Sequence, residues 1–384
     1  MECCGAKTSY AQLLGEVVCG ALGGHEHQGL SQGLRAQQVL QQGSSVGAVH
    51  LEHPLLGAAI ADIELEIPGG RTGLRYAPVQ RAGCYAPGGR FPLPSSVLMT
   101  SITAREAGVA EVWVASPRPA PATLAAAAIA GADFFLAVGG AQAIAALAFG
   151  TTENPAVDAI VGPGNRYVVA AKQLVAGRVA IDMLAGPSEL LVIADHSADP
   201  ARVAADLLAQ AEHDPDAVPM LIALDPTFPD RVDAAITEQL ATLPTAVIAR
   251  ASLRNGWATV ATADEAVALA DQLAPEHLAL HLTDASGLAA RFQHYGALFI
   301  GENAAEVLGD YGAGPNHTLP TGGTARAFGA LSVQAFLRPQ TWLRIDDPIA
   351  AAPIAADATT LARVEGLEAH ARASALRIPR AGHH

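Results

Sequence analysis

Short apolar runs recur along the chain, separated by stretches with helical periodicity. "EVWVAS" (111–116), "FFLAVG" (134–139), "DAIVG" (158–162) and "LLVIAD" (190–195) read as buried strands. Between them, "SSVLMTSITAREAG" and "AQAIAALAFG" read as helices. Alternating strand and helix predict a parallel sheet covered on both faces. A second series, "PMLIALD" (219–225), "TAVIAR" (245–250), "LALHL" (278–282) and "ALFIG" (297–301), predicts a second, related α/β lobe. From about residue 356, "ATTLARVEGLEAHARASALRI" predicts helix. Residues 1–50 break the rhythm. They are rich in Gly, Gln and Ser ("GGHEHQG", "QQGSSVG") and predict weak helices with loose joins. His25 and His27 fall there and read as part of a solvated loop.

Composition narrows the function classes. With 384 residues, 51% of them hydrophobic, the chain has ample core for two or more lobes. Only 5% are aromatic, and 23 basic against 37 acidic residues give a net charge of −14. Both facts argue against a nucleic-acid partner. The four cysteines, Cys3, Cys4, Cys19 and Cys84, form no CxxC pair, so neither a disulfide framework nor a thiolate zinc knuckle is expected. A reducing, cytoplasmic setting follows. The apolar runs are interrupted before membrane-spanning length, and Glu2 without a cationic region makes a poor signal peptide.

Four segments carry candidate chemistry. In "HSADPARVAADLLAQAEHDP", Asp199–Pro200 is a strong helix start and Asp214–Pro215 a stop. Gln210 and His213, three apart, share a face at the helix's negative end, where a cation is favoured. A solvated helix end is the plain alternative, and Glu212 between them reads as structural. In "LAPEHLAL", Glu276 and His277 offer two proton-transfer groups of different basicity just before a strand; a polar turn is the plain alternative. "GDYGAGPNHTLPTGGTA" is a Gly/Pro-rich loop holding Asp310 and His317. "ARVEGLEAHARA" places Glu365 and His370 five apart on a helix, not on one tight face. Gln210, His213, Asp310 and His370 together supply nitrogen and oxygen ligands from three segments, a set suited to Zn2+. Loops "VGPGNRYV" and "AGPSEL" suit the ligand crevice of a parallel sheet, although no GxGxxG is present. "YAPGGRFPLPSS" precedes a helix and suits an anion.

Seven of these motifs, in order, resemble histidinol dehydrogenase: "GCYAPGGRFPLPSSVLM", "VDAIVGPGNRYVVAAK", "IDMLAGPSELLVIAD", "DLLAQAEHDP", "APEHL", "GDYGAGPNHTLPT" and "LEAHARASALR". The likeness runs from about residue 70 to 378. It implies a zinc- and NAD-dependent oxidoreductase that converts L-histidinol through L-histidinal to L-histidine. It implies zinc ligands at Gln210, His213, Asp310 and His370, and a catalytic pair at Glu276 and His277. Substrate contacts would include Ser188, His317 and Glu365, with Gln210, His213, His277, Asp310 and His370. NAD contacts would be Tyr85, Gln142 and Asn165. The family is a homodimer whose C-terminal segment reaches the partner's site, so Glu365 and His370 would serve the neighbouring subunit.

The expected fold is α/β, with two Rossmann-like parallel-sheet lobes, one inserted in the other, and a C-terminal helical dimerisation segment. The expected division is a divergent N-terminal segment (1–50), a zinc-binding catalytic lobe (51–84 and 187–335), an inserted NAD-binding lobe (85–186) and the C-terminal segment (336–384). The family has a longer region before "GCYAPGG" than the short stretch here, which bears on dimer geometry. Three other readings compete: an alcohol dehydrogenase of the same scaffold acting on another amino- or sulfo-alcohol, a zinc-binding interaction protein without activity, and an aldehyde enzyme using Cys84 as nucleophile. Intact Glu276 and His277 disfavour the second. Cys84 has no obvious base beside it, which disfavours the third.

Overall fold

A computed structural model of the chain describes residues 60–88, 91–311 and 313–379. The segment 1–50, with His25, His27 and three of the cysteines, lies outside the described residues. The chain divides into two compact units, one holding 79–336 and the other 58–78 with 337–384.

The second unit opens with β1 (Ile63–Ile67) and β2 (Gly70–Pro78), paired antiparallel. β2 also pairs antiparallel with a nine-residue strand, Leu337–Ile345.

The first unit begins with a five-stranded parallel sheet: β3 (Arg81–Tyr85), β4 (Glu111–Ala115), β5 (Phe134–Leu136), β6 (Ala159–Val161) and β7 (Ala180–Ile181), in the order β5-β4-β3-β6-β7. Its helices are α1 (Pro94–Glu106), α2 (Pro121–Ile129), α3 (Gly140–Phe149) and α4 (Arg166–Val175). Separate cores on the two faces explain why its strands read as continuous apolar runs: Val112 and Val114 pack to one side, Trp113 and Ala115 to the other.

The second parallel sheet comprises β8 (Glu189–Ala194), β9 (Val218–Ala223), β10 (Trp257–Val260), β11 (His277–His281) and β12 (Ala297–Ile300), in the order β10-β9-β8-β11-β12. Its helices are α5 (Pro200–His213), α6 (Phe228–Leu240), α7 (Ala246–Ser252), α8 (Ala263–Leu273), α9 (Ala285–Ala289) and α10 (Glu306–Asp310). The two sheets therefore repeat one doubly wound pattern, with switch points between β3 and β6 and between β8 and β11.

Three expectations change. Residues 81–84 belong to the central strand of the first sheet rather than to the catalytic lobe, because Ala82 to Cys84 pair with both β4 and β6. Each parallel sheet comes from a continuous stretch, 81–181 and 189–300. β2 (Gly70–Pro78) pairs with β13 (Leu337–Ile345), so the C-terminal segment is not helical alone. It continues as α11 (Ala352–Val364) and α12 (Glu368–Ala375). Leu331 and Phe336 pack into the first sheet's core, and Asn316 donates to the Met99 carbonyl at 3.0 Å, so the chain after β12 returns to the first lobe.

"TAVIAR" is also helix, not strand. Ala249 and Ser252, three apart, turn inward, and Ala249 packs on Leu208 and Ala211 of α5. A short apolar run carries no period that separates the two forms.

Candidate active site

In a strand–helix–strand unit the helix runs back against the strands. The C-terminus of α5 therefore lies at the amino-end edge of the second sheet, where β8 and β11 begin. α5 forms as its sequence predicts: Asp199 accepts the Ala201 N–H at 2.8 Å, and Pro200 occupies the first turn. His281 Nε2 lies 3.1 Å from Asp206 and ties the helix to β11. Gln210 is fully buried, one turn before the exposed His213. Glu212 instead accepts the Thr245 hydroxyl at 2.5 Å, the structural part expected of it.

β8 and β11 pair in parallel, with His277 opposite Leu190, and this register brings Glu276 to Ser188 and Glu189. Ser188 Oγ donates to Glu276 Oε2 at 2.7 Å and the Glu189 N–H donates to the same oxygen at 2.9 Å. Burial pushes the Glu276 carboxyl up to about 8, and the charges of Glu189 and Asp310 add to it, against the lowering effect of those two donors. His277 Nδ1 lies 2.9 Å from the Glu189 carbonyl. A carbonyl only accepts, so Nδ1 carries the proton and Nε2 keeps its lone pair. Burial holds this imidazole neutral, down to about 3, with neighbouring His317 adding to the effect.

α10 supplies the acidic side. Asp310 Oδ1 and His317 Nδ1 lie 2.8 Å apart, and the His317 and His277 rings are 4.8 Å apart. Burial raises the Asp310 carboxyl, but the His317 hydrogen bond and the nearby imidazoles outweigh it and leave it lowered. Glu306, one turn before Asp310, lies 3.6 Å from His277 Nδ1. Burial drives its carboxyl well above the usual range, with the charges of Glu276, Asp310 and Asp206 adding.

Ligand atoms of His213, Glu306 and Asp310 lie within 4.8 Å of one another. Among the described residues, seven buried side-chain atoms have no hydrogen-bond partner; five belong to Gln210 (both amide atoms), His277, Glu306 and His317. Buried polar atoms are rarely left so, and His277, Glu306 and His317, which lie against one another, mark a site built for a polar group. An imidazole, carboxylates and an amide oxygen suit Zn2+, and a cation would offset the negative charge that adds to burial in raising Glu306. Glu306 escaped the sequence reading. Its signal was the four-residue spacing to Asp310, which puts both on one helical face.

The expected cofactor residues collect at the carboxyl edge of the first sheet. Tyr85 ends β3, and its hydroxyl accepts the Gly140 N–H at 3.1 Å, where α3 begins two residues before the exposed Gln142. Asn165 caps α4, accepting the N–H groups of Tyr167 at 3.0 Å and Val168 at 3.2 Å. This edge holds the β3/β6 switch point, where doubly wound sheets take ligands, and two helices point their N-termini there. Glu365 and His370 are not in this unit: they are exposed in the second, after α11 and on α12. Cys84 is buried in the first lobe's core, its thiol pushed up to about 12 by burial, and presents no thiolate.

Two doubly wound lobes, one with a dinucleotide-type switch point and one with an acid–base pair beside a cation-ligand cluster, define a metal-dependent α/β enzyme. The histidinol dehydrogenase family model matches residues 52–378. The histidinol dehydrogenase of Thermus thermophilus is 52% identical over 312 residues, 80% of this chain and 75% of that protein. That of Rhodospirillum rubrum is 49% identical over 319 residues, 81% and 73% of the two chains. The crystal structure of histidinol dehydrogenase from Elizabethkingia anophelis superposes with a TM-score of 0.83 at 32% identity, covering 96% of this chain and 88% of that one. The chain belongs to the histidinol dehydrogenase family, zinc- and NAD-dependent oxidoreductases of the final steps of histidine biosynthesis.

Proposed function

We propose that the chain oxidises L-histidinol through L-histidinal to L-histidine. The observation that carries this is the neutral His277 with a free Nε2, set beside Glu276 and the His213–Asp310 cluster. Gln210, His213 and Asp310 would hold zinc, with His370 of the partner subunit as the remaining ligand; zinc bound there would supply Lewis-acid anchoring for an imidazole-amine substrate. NAD held at the Tyr85–Gln142–Asn165 edge would supply the hydride acceptor for each oxidation.

His277 takes the hydroxyl proton in the first oxidation, since its Nε2 is the only ring nitrogen left to accept one. Glu276 acts in the second. A carboxyl with its midpoint near neutrality is a stronger base than an ordinary carboxylate, and it takes a proton from the water that hydrates the aldehyde. His317 orients Asp310, and Ser188 holds Glu276. Tyr85, Gln142 and Asn165 border the NAD site. Glu365 of the partner subunit offers a carboxylate to the cationic substrate, which distinguishes histidinol from an uncharged alcohol. The assembly is a homodimer in which the C-terminal segments exchange; an exposed His370 in the smaller unit is consistent with that.

The test is NADH formation from L-histidinol. Two NADH per histidinol, abolished by a chelator and restored by zinc, is expected. Turnover of another amino alcohol but not of histidinol would overturn the proposal.

A further inference from the structure

The first lobe contains an ion pair that the chemistry above does not use. Lys172 and Asp182 are bonded to each other with side chains 2% and 1% exposed. Lys172 lies in α4; Asp182 directly follows β7. A buried ion pair contributes little that a well-packed apolar pair would not. The difference lies in its remaining partners, which are both peptide groups of one residue. Lys172 Nζ donates to the Gly162 carbonyl at 3.0 Å, and the Gly162 N–H donates to Asp182 Oδ2 at 2.7 Å.

Gly162 opens the turn from β6 to α4. It sits at φ +111°, and a Cβ there would fall 2.0 Å from the Tyr85 carbonyl oxygen. Only glycine fits, and a glycine has the widest choice of other conformations. The turn is thus made of the residue least able to hold its own shape, and the ion pair clamps it from both sides. Three residues on, Asn165 caps the helix that carries Lys172, so the lysine reaches back to fix its own helix's entry turn.

We propose that Lys172 and Asp182 are positioning residues for NAD, fixing the Gly162–Asn165 turn against Tyr85 at the β3/β6 switch point. This rests on the reading of that edge as the cofactor site.

NADH binding to the zinc-loaded enzyme, followed by fluorescence titration, tests it. Asp182→Asn leaves one donor of the clamp mismatched. The double variant Lys172→Met/Asp182→Leu removes both charges, so no unpaired charge compromises folding. In each, the Kd for NADH should rise tenfold or more, while zinc content and the KM for histidinol stay within twofold of wild type. A purely structural role would lower the melting temperature without this split. Gln142→Ala, at the exposed edge of the same site, is the reference. If Gln142→Ala weakens NADH and a folded double variant does not, the clamp has no positioning role. If Gln142→Ala binds NADH like wild type, the cofactor site lies elsewhere and the inference falls with it.

Discussion

Ser188→Ala isolates Glu276, the base proposed for the second oxidation. Two donors meet Glu276 Oε2, the Ser188 hydroxyl at 2.7 Å and the Glu189 N–H at 2.9 Å. Both favour the ionised carboxylate, against the burial that carries the group to about 8. Removing one donor therefore raises the midpoint further. A hydrogen bond to a charged group contributes about 1.5–3 kcal/mol, and roughly 1.4 kcal/mol corresponds to one pH unit. The midpoint in Ser188→Ala should thus lie about one to two units higher. Below the midpoint, the rate follows the ionised fraction. Near neutral pH, oxidation of L-histidinal should fall about ten- to a hundredfold, and it should recover once the pH passes the new midpoint. The assay is stopped-flow NADH formation from L-histidinal across about pH 6 to 10, where both midpoints fall. A midpoint that stays put or moves down would refute the reasoning. A loss equal at every pH would instead make Ser188 only a substrate contact.

Other perturbations separate the parts of the site. His277→Ala should keep its zinc by elemental analysis while kcat for histidinol falls by about 10^2 to 10^4, the usual range for a lost general base; loss of zinc would mean the division of roles is wrong. Glu306→Gln keeps the shape but removes the oxygen that a bound cation could draw into its ionised form, and should weaken zinc by about 10- to 100-fold in a competition titration. Unchanged zinc affinity would confine Glu306 to a contact with His277. Asp199→Ala removes the cap at the far end of α5 and should cost about 0.5–2 kcal/mol in denaturant unfolding, with zinc affinity unaltered. No loss of stability would show that the cap contributes nothing measurable.

Local chemistry was legible in the sequence wherever one segment contained the whole signal. Asp199–Pro200 marked the start of α5, the apolar runs marked the buried strands, and the Gln210–His213 spacing marked a helix face. Pairing over long distances was not. Nothing in "GRTGLRYAP" announces that β2 pairs with a strand 259 to 275 residues further on (337 − 78 to 345 − 70), so the sequence alone groups it with the second parallel sheet. "TAVIAR" is too short to carry a period, and its contact with α5 decides its form. Within the site, the adjacency of Glu276 and His277 suggested a proton-transfer pair. What separates their roles is burial and the different faces of Glu189 that they meet, its N–H for one and its carbonyl for the other. Lys172 was invisible for the same reason: in sequence it is an ordinary helical lysine, and only folding sets it against Asp182 and Gly162.

The division of labour between His277 and Glu276 is tested most directly by the NADH yield of Glu276→Gln. With limiting L-histidinol and excess NAD, the wild type should release two NADH per histidinol. Glu276→Gln should release the first at close to the wild-type rate and then stall, with L-histidinal accumulating and trapped by an added carbonyl reagent. Two NADH per histidinol at the wild-type rate from this variant would contradict the assignment of Glu276 to the second oxidation.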